Sequence, residues 1–256
     1  MVMKYNFVNE PVRPKTVTVL TPTIGSPKLQ DAINSVEAQT YEHVQHLCVV
    51  DGPDYWEQVM SNVDVDREGS TTKFTFSPEN TGKAGGDFYG HRIYAAYPHL
   101  INTDYIFFLD EDNWYYPNHV ESLVKVLETN EFAYSLRKIY DKDKNYICRD
   151  NCESLGKWPI YMTHNTGKEQ YLIDTSAFAF RREFLIKVSQ FWHHGWGGDR
   201  NFFYNVKDHS IWDTNGKHTL CYRLDGNINS VTSNFFDRGN EKMKSIYGDK
   251  FPWIKD

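Results

Sequence analysis

Two runs rich in β-branched residues, Thr16–Leu20 (TVTVL) and His46–Val50 (HLCVV), flank a stretch with helical spacing. This arrangement constrains the fold more than any other feature of the chain. Leu29, Ala32, Ile33 and Val36 fall at i, i+3, i+4 and i+7, one face of a helix over Lys28–Gln39. Thr21-Pro22-Thr23 ends the first strand, and Gly25, Ser26 and Pro27 turn the chain into the helix. A strand, a helix and a second strand in this order make a crossover with parallel strands. The expected architecture is therefore a layered α/β domain.

The pattern continues. Lys73–Phe76 predicts a third strand, followed by a glycine-rich turn (Asn80, Gly82, Gly85, Gly86) and a helix over Phe88–Tyr97. Tyr105–Leu109 is the strongest strand signal, and Pro117–Leu127 is amphipathic, with Val120, Leu123, Val124 and Leu127 on one side. The second half is less regular. It predicts a strand over Phe132–Lys138, a polar loop over Asp141–Pro159 and an alternating run over Tyr171–Phe180. A helix over Arg181–Gln190, a Trp/His/Gly-rich loop over 191–199, a helix opening at Asn201 and a late strand over His218–Leu224 follow. With no repeat or linker-like tract, residues 1–256 read as one domain.

Composition narrows the function classes. The chain has 28 basic and 34 acidic residues, a net charge of −6, which argues against a nucleic-acid binder; a local basic groove stays possible. With 40% apolar residues it can bury a sizeable core, so disorder is excluded as the main description. Aromatics reach 16%; most such rings build cores, and some suit the wall of a sugar or base pocket. Cys48, Cys148, Cys152 and Cys221 lack zinc-type pairing and read as reduced thiols. Met1–Lys15 has no apolar signal segment, and Ile106–Leu109 is far too short to span a bilayer. The expectation is a cytoplasmic protein without a transmembrane segment.

Asp110-Glu111-Asp112 directly follows the apolar Ile106-Phe107-Phe108-Leu109. In open α/β sheets ligands bind beyond the C-terminal ends of strands. Three carboxylates there repel one another unless a cation joins them, and oxygen donors suit a hard ion such as Mg²⁺ or Mn²⁺. In an extended segment, residues 110 and 112 point the same way and face one ligand. The plainer alternative is a solvated acidic turn ahead of the helix near Pro117.

Five segments in register resemble the GT-A-fold glycosyltransferases, and among them the family-2-type inverting enzymes. These are Thr16–Thr23 (TVTVLTPT), Ser35–Tyr41 (SVEAQTY), Val49–Gly52 (VVDG), Asn80–Gly86 (NTGKAGG) and Tyr105–Asp112 (YIFFLDED). The resemblance covers residues 14–125 well and 170–236 more loosely. It implies a single GT-A (Rossmann-like) domain, a mixed, mainly parallel sheet flanked by helices. Residues 14–113 would form the nucleotide-sugar half and residues 114–256 the acceptor half. It further implies that Thr21 and Thr23 lie along the nucleoside and that Asp51 holds the base or ribose. Lys83 or Arg92 supplies a cation near the nucleotide, although His91-Arg92 stands where many relatives have Arg-Asn. Asp110 meets the ribose and Asp112 the metal, Mn²⁺ or Mg²⁺, with Glu111 pointing away. Trp196-Gly197-Gly198-Asp199 resembles the segment carrying the acceptor-activating carboxylate, so Asp199 is the expected base and Trp196 an acceptor wall. Arg200 stands where a second acid is often found. His209 or His218 is a candidate third metal ligand.

The expected reaction moves a sugar from a nucleotide diphosphate sugar to a hydroxyl of a glycan, lipid-linked or other acceptor by a single inverting displacement. Negative charge grows on the leaving diphosphate and calls for cationic stabilisation. The acceptor hydroxyl calls for a carboxylate base, a role Asp199 shares with the plainer one of capping the helix at Asn201. One alternative is a sugar nucleotidyltransferase, disfavoured because residues 21–28 (TPTIGSPK) lack a Gly-rich basic signature. The other is a non-catalytic carbohydrate-binding relative, disfavoured by the carboxylates at 110, 112 and 199.

Overall fold

The computed structural model describes residues 13–82, 87–224 and 231–255. Its elements run β1 (Val17–Thr23), α1 (Leu29–Glu37), β2 (Val44–Val50), α2 (Trp56–Asn62), β3 (Thr72–Phe76), α3 (His91–Ala96) and β4 (Tyr105–Phe108). Then come β5 (Trp114–Tyr115), α4 (His119–Leu127), β6 (Phe132–Tyr140), β7 (Tyr146–Arg149), α5 (Tyr161–Thr166), β8 (Phe178–Arg181) and α6 (Arg182–Val188). The chain continues through α7 (Gly198–Val206), β9 (Trp212–Arg223) and α8 (Ser233–Tyr247).

The described strands form one mixed sheet in the order β3-β2-β1-β4-β8-β6-β9-β5, with β7 also pairing with β6. The N-terminal four, β3, β2, β1 and β4, are mutually parallel, so their C-terminal ends share one side of the molecule. The second half enters through the antiparallel strand β8, which joins β4 to β6.

Successive residues of β4 explain its unbroken apolar run. The Phe107 ring meets His119 of α4 on one face of the sheet. The Phe108 ring stacks on Tyr94 of α3 on the other, with centroids 4.1 Å apart, and meets Trp192. A strand covered on both faces has no polar alternate.

Several sequence expectations change. The first strand continues through Pro22 to Thr23. Pro22 lies beyond Leu20, the last β1 residue paired with β4, so its missing N–H costs no ladder bond. The expected loop over Asp141–Pro159 contains β7, which closes a hairpin onto β6. The alternating run over Tyr171–Phe180 gives only the start of β8, preceded by a 3₁₀ turn over Thr175–Ala177. The helix expected from Phe88 begins at His91, and the one expected from Asn201 begins at Gly198.

Candidate active site

A cavity of about 480 Å³ lies at the C-terminal ends of the parallel strands. Thr23, Asp51, Asp110, Glu111 and Asp112 line it, each placed by the end of a strand or the turn that follows. Gly52, with φ of +107°, lets the chain leave β2 sharply; a Cβ there would stand 2.8 Å from the Asn80 amide nitrogen.

Asp51 folds the turn that follows β3. Its Oδ1 accepts hydrogen bonds from the Thr81 amide (2.8 Å), the Thr81 hydroxyl (2.8 Å) and the Ser77 hydroxyl (3.2 Å). Its Oδ2 accepts from Asn80 Nδ2 and the Gly82 amide, both at 3.0 Å. The carboxylate thus organises the segment that walls the cavity, where Asn80 and Gly82 also appear.

The acidic motif is a turn rather than an extended segment. β4 ends at Phe108, and the Asn113 amide closes back on the Asp110 carbonyl at 3.2 Å. The expectation that residues 110 and 112 share a strand face while Glu111 points away is therefore corrected. All three line the cavity. Glu111 Oε2 accepts from the Thr23 hydroxyl (2.5 Å) and the Ser26 amide (3.0 Å). Asp110 receives two hydroxyls, Tyr94 on Oδ1 and Ser176 on Oδ2, each at 2.9 Å. Burial, then the charges of Asp112 and Asp174, push the Asp110 carboxyl up to about 8. Glu111 is also raised, chiefly by burial.

A second cavity, of about 620 Å³, adjoins the first; Tyr89, His91, Thr175 and Tyr222 line both. Trp196, Asp199, Arg200, Arg137, Glu153 and Asp174 also face it. Trp196 is 71% exposed and Tyr89 53% exposed, so both present open ring faces. Asp199 stands in the first turn of α7 rather than at its cap, which is Gly197. Its Oδ1 accepts from the Arg200 amide at 2.7 Å. Burial, then the charge of Asp174, raises its carboxyl to about 6. Gly198 allows α7 to start against α3: a Cβ there would meet His91 Nδ1 at 2.5 Å.

Other expected site residues lie elsewhere. The Thr21 hydroxyl pairs with His46 Nε2 at 2.8 Å in the core, and Thr21 does not line the cavity. Arg92 lies behind the turn, its guanidinium 3.8 Å from the Phe88 ring centroid and its Nη1 donating to the Thr81 carbonyl at 3.4 Å. Lys83 lies outside the described residues. His209 is exposed, and His218 is buried with Nε2 3.3 Å from the Asp150 carbonyl; neither lines the acidic cavity. Sequence reasoning missed Tyr94, Ser176, Asp174 and Arg137. Tyr94 is a buried ring in the short helix α3, and the others sit in segments with no motif.

Among the described residues no group of three or more His, Cys, Asp or Glu is gathered for a metal ion. Asp110 and Asp112, close enough for the Asp112 charge to raise Asp110, nonetheless fit a hard divalent ion. Such an ion commonly takes one or two protein carboxylates and completes its shell with substrate phosphates and water.

Residues 18–189 match the model of Glycosyl transferase family 2. No curated protein sequence matches the chain. Its structure is similar to that of S. aureus TarS 1–349 in complex with UDP: 13% identity and a TM-score of 0.58, over 82% of this chain and 60% of that one. It is also similar to S. aureus TarS 1–349 in complex with UDP-GlcNAc, at 12% identity and a TM-score of 0.60, over 92% of this chain and 68% of that one. The chain thus spans about 60% of the length of the UDP complex, and at such identities the likeness concerns the fold. The family match extends from β1 to the end of α6, well over half of the chain, and the sheet it covers carries the acidic cavity: the chain belongs to glycosyl transferase family 2.

Proposed function

We propose that the chain transfers a sugar from a nucleotide diphosphate sugar in the acidic cavity to an acceptor hydroxyl in the adjoining one, with inversion. The observation that carries this reading is the shared wall: Tyr89, His91, Thr175 and Tyr222 line both the cavity that holds Asp51, Asp110, Glu111 and Asp112 and the one that holds Asp199. A donor at such a wall puts its anomeric carbon between the two. The structural neighbours' ligands, UDP and UDP-GlcNAc, make a uridine donor the first to test.

The nucleoside rests against the turn that Asp51 holds, beside Thr23. Asp110 and Asp112 would hold Mn²⁺ or Mg²⁺, which when bound would supply positive charge for the diphosphate. Asp199 takes the proton of the acceptor hydroxyl. A carboxylate raised to about 6 is mostly ionised at neutral pH yet a stronger base than an ordinary aspartate. Trp196 covers the acceptor's apolar face. Attack from the acceptor side as the diphosphate leaves from the other inverts the anomeric centre in one displacement, with no glycosyl-enzyme intermediate.

A panel of nucleotide sugars, each with and without Mn²⁺, tests the reading through release of nucleoside diphosphate and through thermal stabilisation. The expected result is Mn²⁺-dependent stabilisation and release with one donor class. Pyrophosphate release from a nucleoside triphosphate and a sugar phosphate, with no response to any nucleotide sugar, contradicts it.

A further inference from the structure

We propose that Ser176 is a positioning residue for Asp110, and that it is itself held from the acceptor side by Asp174 and Arg137. This rests on the reading of Asp110 as a donor-site carboxylate. Ser176 is fully buried, and its hydroxyl is used to capacity. It donates to Asp110 Oδ2 at 2.9 Å, and it accepts from the Asp110 amide at 3.0 Å and from Asn113 Nδ2 at 3.2 Å. One donor and two acceptor positions are all that a hydroxyl has. Ser176 thereby fixes both the backbone and the side chain of Asp110, while the Tyr94 hydroxyl holds the other carboxylate oxygen.

Ser176 is held in turn. Asp174 caps the 3₁₀ turn, its Oδ1 accepting from the Ser176 amide at 3.0 Å. The other oxygen of Asp174 accepts from Arg137 Nη1 at 2.6 Å. Arg137, buried in β6, also bonds Asp150 through Nε (2.7 Å) and Glu153 through Nη2. Its guanidinium lies under the Tyr222 ring at 4.3 Å. Arg137, Glu153 and Asp174 face the second cavity, Asp110 the first, and Thr175 both. A connected set of hydrogen bonds therefore runs from the acceptor wall to the donor carboxylate. A buried ion cluster of this kind contributes defined geometry more readily than net stability.

The test is calorimetric binding of UDP in the presence of Mn²⁺ to the full chain and its variants, with a thermal melt of each. Ser176→Ala and Asp174→Asn are expected to weaken binding at least tenfold, although Asp174 lies outside the donor cavity. Ser176→Thr, which keeps the hydroxyl, is expected to bind within about threefold of the parent. Ser189→Ala removes a buried hydroxyl bonded to His99 at 3.0 Å and is expected to change binding less than twofold. Ser176→Cys, close in size but a poor hydrogen-bond partner, repeats the test if the alanine variant does not fold. Binding by the folded Ser176→Ala or Ser176→Cys variant within twofold of the parent overturns the proposal. Asp110→Asn separates this from failure of the donor-site reading: lost binding there with intact binding in Ser176→Ala rejects only the role of Ser176. Intact binding in Asp110→Asn rejects both.

Discussion

Thr23 and Glu111 lock the ends of two neighbouring parallel strands together, the Thr23 hydroxyl donating to Glu111 Oε2 across 2.5 Å. The Ser26 amide donates to the same oxygen at 3.0 Å, so the middle acid of the motif shapes the loop after β1. Thr23→Val keeps the shape and removes the hydroxyl. The Thr23 oxygen also accepts from the Gly25 amide at 2.9 Å, so two hydrogen bonds are lost and the expected cost is about 1–3 kcal/mol of stability, with a severalfold loss of UDP affinity. Urea unfolding and UDP titration check both; unchanged affinity contradicts a donor-side role for this contact.

Asp112→Asn removes one of the three carboxylates that the acidic turn gives to the cavity. Loss of the Mn²⁺-dependent part of UDP binding is expected, with the metal-independent part retained. Titration with and without Mn²⁺ checks this, and an undiminished Mn²⁺ effect rejects Asp112 as a ligand.

Asp199 gives the reaction its expected pH dependence. A base must be ionised, and burial and the Asp174 charge raise this carboxyl to about 6. As pH falls through 6 the protonated form accumulates and turnover falls, approaching tenfold per unit below it. Asp199→Asn is expected to lower kcat by about 10²–10⁴-fold and to abolish this acid limb. A limb centred near pH 4, or persistence of the limb in the variant, contradicts the assignment.

Arg137 serves three carboxylates from a buried position. Burial pushes the Asp150 carboxyl up, but the Arg137 charge and the amides of Ser154 and Cys152 outweigh it and leave Asp150 below its usual range. Arg137→Met leaves those charges uncompensated, with an expected loss of about 3–5 kcal/mol. Because Asp150 is held low in the folded state, its stabilisation is present at neutral pH and disappears as pH falls through its folded value. Denaturant unfolding at pH 7 measures the loss; a change under 1 kcal/mol shows that the cluster relaxes around the missing cation.

The half of the fold buried on both faces was legible. β1 and β4 read as apolar runs because every residue in them is buried, as is most of the C-terminal part of β2, and α1 and α4 showed clear apolar stripes. The 15-residue α8 went unseen because it buries only Phe236, Gly239 and Met243, and Gly239 contributes no side chain to the pattern. β7 is half-exposed and held by its hairpin with β6, so it lacks alternation. β9 was legible only from His218; its first half contains Asn215 and Gly216 and pairs with β6 across register shifts. In the site, Asp51, Asp110 and Asp112 were readable because each follows a strong strand. The groups that orient them were not. Ser176 reaches Asp110 from 66 residues away, and nothing local marks a serine for that contact.

A crystal structure of the chain grown with UDP and Mn²⁺ is the decisive measurement. It is expected to show manganese on Asp110 and Asp112, the diphosphate beside it, and the uridine against Thr23 and the turn held by Asp51. Nucleotide density elsewhere, with the acidic turn after β4 free of metal, would contradict this expectation.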